Sequence, residues 1–153
     1  MLKLLAVVLC SAALAGAGEL PSKKYLNLAA VKKMAAAAEA EAGKRNVSVT
    51  ICIMDDSANI LFLQKGDKAS INTLEWAQRK ARHSALNGSP SKNAADSVQG
   101  GNVAGLAFPA WFPNQGGLPI KVDGQLIGSI AISGGPSAVD EEIAQSAIDA
   151  LLK

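Results

Sequence analysis

The chain lacks most of the side chains from which covalent frameworks and active sites are assembled. Its 153 residues hold two cysteines and one histidine. Cys10 sits in an apolar leader, so the mature chain keeps only Cys52; an internal disulfide is excluded and stability has to come from packing. Cys52 has no basic partner nearby in sequence and reads as a small buried filler rather than a nucleophile. One histidine beside one cysteine gives too few donors for a zinc site built within a single chain. Also missing are a Walker-type glycine loop, a G-x-S-x-G elbow, an H-E-x-x-H helix and a C-x-x-C-H haem attachment. Nor is there an excess of charge of one sign. With 15 Lys and Arg against 13 Asp and Glu, the formal balance is +2, which points to neither nucleic acid nor an anionic membrane.

Long hydrophobic runs are confined to the start. Lys3 precedes an apolar run from Leu4 to Leu14, and Ala15 and Ala17 follow in Ala-x-Ala spacing. This is the pattern of a secretory signal peptide over residues 1–17. The run is shorter than the roughly 20 residues a bilayer-spanning helix needs. The expectation is an exported protein, secreted or periplasmic and free of the membrane after cleavage, with a single domain over residues 18–153.

Asn27 is placed to cap a helix running through Ala42, with Leu26 and Val31 as a hydrophobic staple and Gly43 as its stop. Leu28, Val31, Ala35, Ala38 and Ala42 share one side of it. Alternation of Val47, Val49, Ile51 and Ile53 with Ser48, Thr50 and Cys52 predicts a strand, and Ile60 to Gln64 its hairpin partner. Asp55 and Asp56, between them, read as turn formers. A second helix begins with Asn72 as cap and Glu75 three residues on, and runs to about Leu86. Leu74, Ala77, Ala81 and Ala85 form its core side, which leaves Trp76, Lys80 and His83 on the opposite one.

Residues 88–117 hold a short helical candidate, Lys92 to Val98, and then Phe108, Trp111 and Phe112, half of the chain's aromatics. Such a loop reads equally as a binding element or as a segment pinned by its aromatics. Asp123-Gly124 predicts a two-residue hairpin pairing Val122 with Gln125, Ile120 with Ile127 and Leu118 with Ser129. Ser129, Ala131 and Ser133 then form a nearly flat face on which an alanine-rich helix can sit. The last helix runs from near Ser137 to Leu152, with Asp140, Glu141 and Glu142 at its positive end. Helices on a mostly antiparallel sheet make an α+β domain.

His83 carries two open readings. It is a solvated helix residue, or it is an axial ligand to haem iron, for which a neutral imidazole is a good donor and Trp76 a neighbour able to shield a macrocycle.

In chain order, "LNLAAVKKMAAAAEAEA", "VSVTICIMDDSANILFLQKGDKAS", "AQRKARHSALNGSPS", "NQGGLPIKVDGQLIGSIAISGG" and "DEEIAQSAI" together resemble the GlcG/HbpS family, the DUF336 haem-degrading or haem-binding domains, over about residues 26–152. The block G-G-x-P-I-x-x-D-G-x-x-I-G-x-I-x-x-S-G is its most specific part. The resemblance implies a profilin-like α/β/α sandwich with a five-stranded antiparallel sheet, and a homo-oligomer. It also implies haem binding in haem or redox sensing for some members, whereas others have no established activity. In secreted haem-binding relatives a Thr at the K-A-x-T position is tied to haem; His83 stands in that slot here. Lys65 stands where many members have Arg, and Ala58-Asn59 where Gly is usual.

The resulting expectation is an exported domain that binds haem or a related tetrapyrrole non-covalently, for haem handling or redox sensing. His83 is the expected metal ligand, with Trp76 and Lys80 beside it, and Phe108, Trp111, Phe112 and Ser133 completing the site or a subunit contact. The alternative is an enzyme acting on a small organic acid or aromatic metabolite, in a pocket formed by Ser129, Ser133, the Gly-Gly turns and the aromatic loop. A third reading makes the Trp76 stripe an interface of a structural oligomer.

Overall fold

Helices cover both faces of one antiparallel sheet in the computed structural model, which describes residues 21–153. The leader expected over residues 1–17 lies outside the described residues. The elements are α1 (Leu28–Lys44), β1 (Thr50–Asp55), β2 (Ile60–Lys65), α2 (Thr73–Asn87), α3 (Ser91–Gln99), β3 (Gly117–Val122), β4 (Gln125–Ser133) and α4 (Ser137–Leu152). The strand order is β2-β1-β4-β3, and each neighbouring pair is antiparallel. The sheet therefore has four strands, not the five implied by the resemblance. Gly100, Gly101, Gly105, Pro109 and Pro113 interrupt the stretch between α3 and β3, which holds only a 3-10 turn at Ala104–Ala107; such residues do not sustain a ladder.

α1 starts where the side chains dictate. Asn27 Oδ1 accepts the Ala30 N–H at 2.8 Å, and Leu26 and Val31 are both buried. Leu28, expected on the core side, is exposed, and Leu26 occupies the core beside Val31 instead. On this face Ile51, Ile53, Ile130 and Ile132 pack against Val31, Met34 and Ala38 of α1 and against Ile143, Ala144 and Ala147 of α4. Each such aliphatic side chain contributes about 1.5–3 kcal/mol by leaving water.

The other face is built for close approach. Cys52, Met54 and Ala131 meet Ala77, Ala81 and Ala85 of α2. No large side chain holds the helix off, so Ser129 Oγ reaches and donates to the Ala81 carbonyl at 2.8 Å. The flat face read from the sequence is a seat for the alanine stripe, and Ser129 belongs to that seat rather than to a pocket. Burial pushes the Cys52 thiol up to about 12, so it stays protonated and inert.

The β3–β4 hairpin turns at Asp123-Gly124 and pairs Val122 with Gln125 as expected. Beyond it an irregularity between Ile120 and Lys121 shifts the ladder by one residue, so Ile120 faces Gly128 and Leu118 faces Ile130. The expected pairings of Ile120 with Ile127 and Leu118 with Ser129 do not form. Gly128 sits at this irregularity and has no room for a side chain. Its φ is +155°, and a Cβ on it would lie 2.3 Å from the Met54 carbonyl oxygen and 2.7 Å from Leu26 Cδ1. Gly128→Ala is expected to destabilise the domain by roughly 3 kcal/mol, through backbone strain and displacement of β1. Gly43→Ala, with nothing within 4 Å, is expected to be neutral or stabilising by about 0.5–1 kcal/mol. Denaturant titration of both variants distinguishes the two effects.

Candidate functional site

Helix α2 organises the chemistry of the molecule, and the side opposite its alanines is not uniformly solvated. Lys80 and His83 are each 1% exposed, whereas Trp76 is 41% exposed. Asn72 precedes the helix in a helical conformation without a side-chain cap, contrary to expectation; Thr73 Oγ1 instead donates to the Ser70 carbonyl at 2.6 Å. Two long-range contacts account for the burial of Lys80 and His83.

The first is an ion pair. Lys80 Nζ donates to Asp140 Oδ2 at 2.9 Å and to the Ile132 carbonyl at 3.0 Å. Asp140, at the start of α4, is itself 2% exposed and accepts the Gly135 N–H at 2.9 Å through Oδ1. Burial pulls both groups toward their neutral forms, Lys80 down and Asp140 up, while their mutual attraction opposes the pull. Two glycines of the Gly-Gly-x-Pro block make room for the lysine. A Cβ on Gly116 would lie 2.8 Å from Lys80 Nζ, and one on Gly117 2.6 Å from the Lys80 carbonyl oxygen. Beside the pair is a cavity of about 180 Å³ whose lining includes Thr73, Trp76, Lys80, Ser133, Ser137 and Asp140. Trp76, Lys80 and Ser133 of the expected site thus come together. Asp140 was missed because a carboxylate at a helix start carries the same sequence signal whether it serves the dipole or a buried cation.

The second contact pins the aromatic loop. His83 Nδ1 accepts the Phe112 N–H at 3.1 Å, and the His83 and Trp111 rings lie 6.4 Å apart at 59°. The Arg79 guanidinium sits 4.3 Å over the Phe112 ring. Trp111 and Phe112 therefore gather around His83, while Phe108, 67% exposed, stands apart. His83 does not project outward as expected. Its Nδ1 lone pair is turned to the loop backbone, which puts the hydrogen of the neutral ring on Nε2. Nε2 is buried without a hydrogen-bond partner, though the Ala110 carbonyl faces the ring. In this arrangement the residues around His83 do not fit an iron ligand: the imidazole's lone pair is already engaged by the Phe112 N–H, and the other nitrogen is buried and carries the hydrogen.

A space of macrocycle size lies on the outward side of α2. A groove of about 640 Å³ is lined by the apolar Met54, Ala58, Ile60, Ile71 and Leu74 and by the polar Asn72, Glu75, Gln78, Arg79 and Arg82, with Glu75 3.8 Å from Arg79. Leu74, expected on the core side with the alanines, is only half-buried and lines this groove instead; the available signal was the exposed Ile71 just before the helix, which the alanine stripe does not account for. Among the described residues no cluster of three or more His, Cys, Asp or Glu is placed to hold a metal ion, and no helix is long and apolar enough to cross a membrane.

Comparison with known proteins places this geometry in context. The family described as "Haem degrading protein HbpS-like" matches residues 26–149. Protein GlcG of Escherichia coli K12 is 33% identical over 112 residues, covering 73% of this chain and 84% of GlcG. The crystal structure of Klebsiella pneumoniae protein ORFY, a DUF336 protein, superposes with a TM-score of 0.78 at 30% identity, covering 88% of this chain and 98% of that one. A structure described as a PduOC:heme complex superposes with a TM-score of 0.78 at 28% identity, covering 83% and 95%.

The His83 clasp generates a pH dependence. Burial holds the imidazole below its ordinary value of 6.5, so the unfolded chain takes up a proton that the native ring resists. The clasp's contribution is therefore full above about pH 6.5 and is lost as pH falls through that value toward the lowered native one. Thermal melts followed by Trp fluorescence are expected to show Tm level above pH 6.5 and falling below it. His83→Asn is expected to remove that component, leaving only the acid limb of carboxylates held below their ordinary value, such as Asp55, which accepts from Asn59 and the Ser57 N–H.

Proposed function

The chain belongs to the HbpS-like family, and from that premise we propose that it binds haem or a related tetrapyrrole non-covalently in the groove beside α2. The observation that carries the reading is the make-up of this groove: about 640 Å³, with five apolar side chains and with two arginines against the single carboxylate of Glu75 on its lining. A porphyrin presents apolar faces and carboxylate edges, so it needs hydrophobic walls with cations where those edges emerge. Arginine is the cation best suited to grip a carboxylate, because its planar fork donates two parallel hydrogen bonds. Met54 brings a thioether to the lining, a donor type that serves haem iron elsewhere. Bound haem supplies a redox-active iron suited to haem handling or redox sensing. The relative solved as a haem complex supports the ligand class.

The same reading takes residues 1–17 as a leader that sends the protein to a secreted or periplasmic location, and a second copy of the chain as its partner. β2 is an edge strand with Ile60, Leu61 and Leu63 exposed, an apolar surface that self-association would cover.

Titration of the mature protein with hemin is expected to give a saturable Soret shift. The shift is expected to weaken about tenfold or more in Arg79→Glu/Arg82→Glu, a loss of about 1.4 kcal/mol or more, and to persist in His83→Ala. Absence of a shift in the wild type sinks the haem reading. Loss in His83→Ala with retention in the arginine variant moves the iron to the histidine and overturns the groove assignment. N-terminal sequencing of the exported protein is expected to begin at residue 18; an intact Met1 in the extracytoplasmic fraction overturns the leader.

A further inference from the structure

We propose that the cavity beside Lys80 is a second ligand site and that its ligand is a small monocarboxylate. The cavity shares only Asn72 with the haem groove, and the inference does not rest on the haem reading.

At about 180 Å³ the space has room for roughly six waters, so its occupant is a molecule of a few heavy atoms and not a macrocycle. The polar groups converging on it are donors apart from two acceptors, the Asp140 carboxylate and Asn114, whose Oδ1 is buried without a hydrogen-bond partner. Ser133, only 2% exposed, lines the cavity, and its hydroxyl has no hydrogen-bond partner among the described residues. The reason lies in its neighbours. Ser133 faces Thr50 across the β1–β4 ladder, but the Thr50 hydroxyl pairs with Thr73 Oγ1 at 2.7 Å, and Thr73 Oγ1 passes its own hydrogen to the Ser70 carbonyl. That relay is closed without Ser133. Lys80 adds a second unused donor, since an ammonium carries three N–H bonds and two acceptors hold it. The first turn of α4 adds a third group: Ser137 lies on the lining, and the N–H groups at a helix start have no partner within the helix.

Donors left over around a half-open space call for an acceptor-rich ligand, Asn114 Oδ1 being left to take a hydrogen from a hydroxyl or a water beside it, and the charge balance selects which. Asp140 already answers the charge of Lys80 at 2.9 Å, so the wall carries no net cation to hold a dianion, and its carboxylate repels one. A monocarboxylate makes the same hydrogen bonds with half the repulsion. Trp76, partly exposed on the lining, offers an apolar face to the carbon end of the acid.

The test uses the full mature chain carrying Trp111→Phe, so that Trp76 is its sole indole, with acetate, lactate and inorganic phosphate as probes. Acetate or lactate is expected to change Trp76 fluorescence saturably with a Kd of about 1 mM or tighter, and phosphate to bind at least about tenfold more weakly. Ser133→Ala is expected to weaken acetate binding about fivefold without moving Tm, and the bulkier Ser133→Val to abolish it; hemin titration is expected to be the same in both variants. Absence of a saturable change with any probe overturns the site, as does wild-type affinity in the folded Ser133→Val variant. Phosphate binding as tightly as acetate overturns the carboxylate assignment and leaves a general oxyanion site.

Discussion

A lysine ammonium placed between a sheet and two helices has to be matched, because an isolated charge there costs several kcal/mol. Lys80 is matched by Asp140 from 60 residues further on and by the Ile132 carbonyl, and much of the architecture follows from that requirement. The pair ties α2 to the end of β4 and to the start of α4, while Asp140 also fastens the turn after β4 through Gly135. It forbids side chains at 116 and 117, where a Cβ would strike Lys80. The glycine-rich stretch 114–135 is thus bare for three separate reasons. Gly116 and Gly117 clear the lysine, Gly128 clears the backbone of β1, and Ala131 receives the alanine stripe of α2. None of these is a phosphate cradle.

What was legible in the sequence was whatever depends on neighbours a few residues apart. The Asn27 cap, the Asp123-Gly124 turn and the alanine stripe all lie within a helical turn or a hairpin of their causes, and all of them form. Failures began where the cause is distant. Beside the ladder slip after Lys121 the Met54 carbonyl closes on Gly128, an approach from β1 that no pattern within the hairpin encodes. The burial of Lys80 and His83 depends on residues 111–117 and on Asp140 at the start of α4 reaching Lys80; from the helix alone, the side opposite the alanines could only be read as outward-facing. The fifth strand came from the resemblance and not from any alternation in this chain. Met54, Ala58 and Ile60 reach the groove from the β1–β2 hairpin, so their convergence with Ile71, Leu74 and Arg79 is a property of the tertiary fold.

The two cavities and the histidine clasp are served by one helix, because a 3.6-residue period interleaves three stripes along it. Ala77, Ala81 and Ala85 face the sheet. Trp76, Lys80 and His83 carry the cavity wall, the ion pair and the loop clasp. Leu74, Gln78, Arg79 and Arg82 face the groove. The stretch Lys80-Ala81-Arg82-His83 places one residue or more on each stripe, so any substitution within it reports on a different part of the molecule from its neighbour.

Arg79 belongs to two of these parts at once. It lines the groove, and its guanidinium lies over the Phe112 ring, whose backbone N–H is held by His83. A carboxylate arriving at the groove and the face of Phe112 compete for the same cation. The magnitudes decide the contest: an aromatic face at a partly exposed site holds a cation by about 0.5–1 kcal/mol, whereas a hydrogen bond to a charged partner is worth about 1.5–3 kcal/mol. An anionic ligand that also outcompetes Glu75, 3.8 Å from Arg79, therefore draws Arg79 off the loop and leaves His83, through its bond to Phe112 and its contact with Trp111, as the loop's tether on α2. The buried imidazole, set by the fold as an acceptor toward Phe112, is then the element that keeps residues 108–112 in place whether or not the groove is filled.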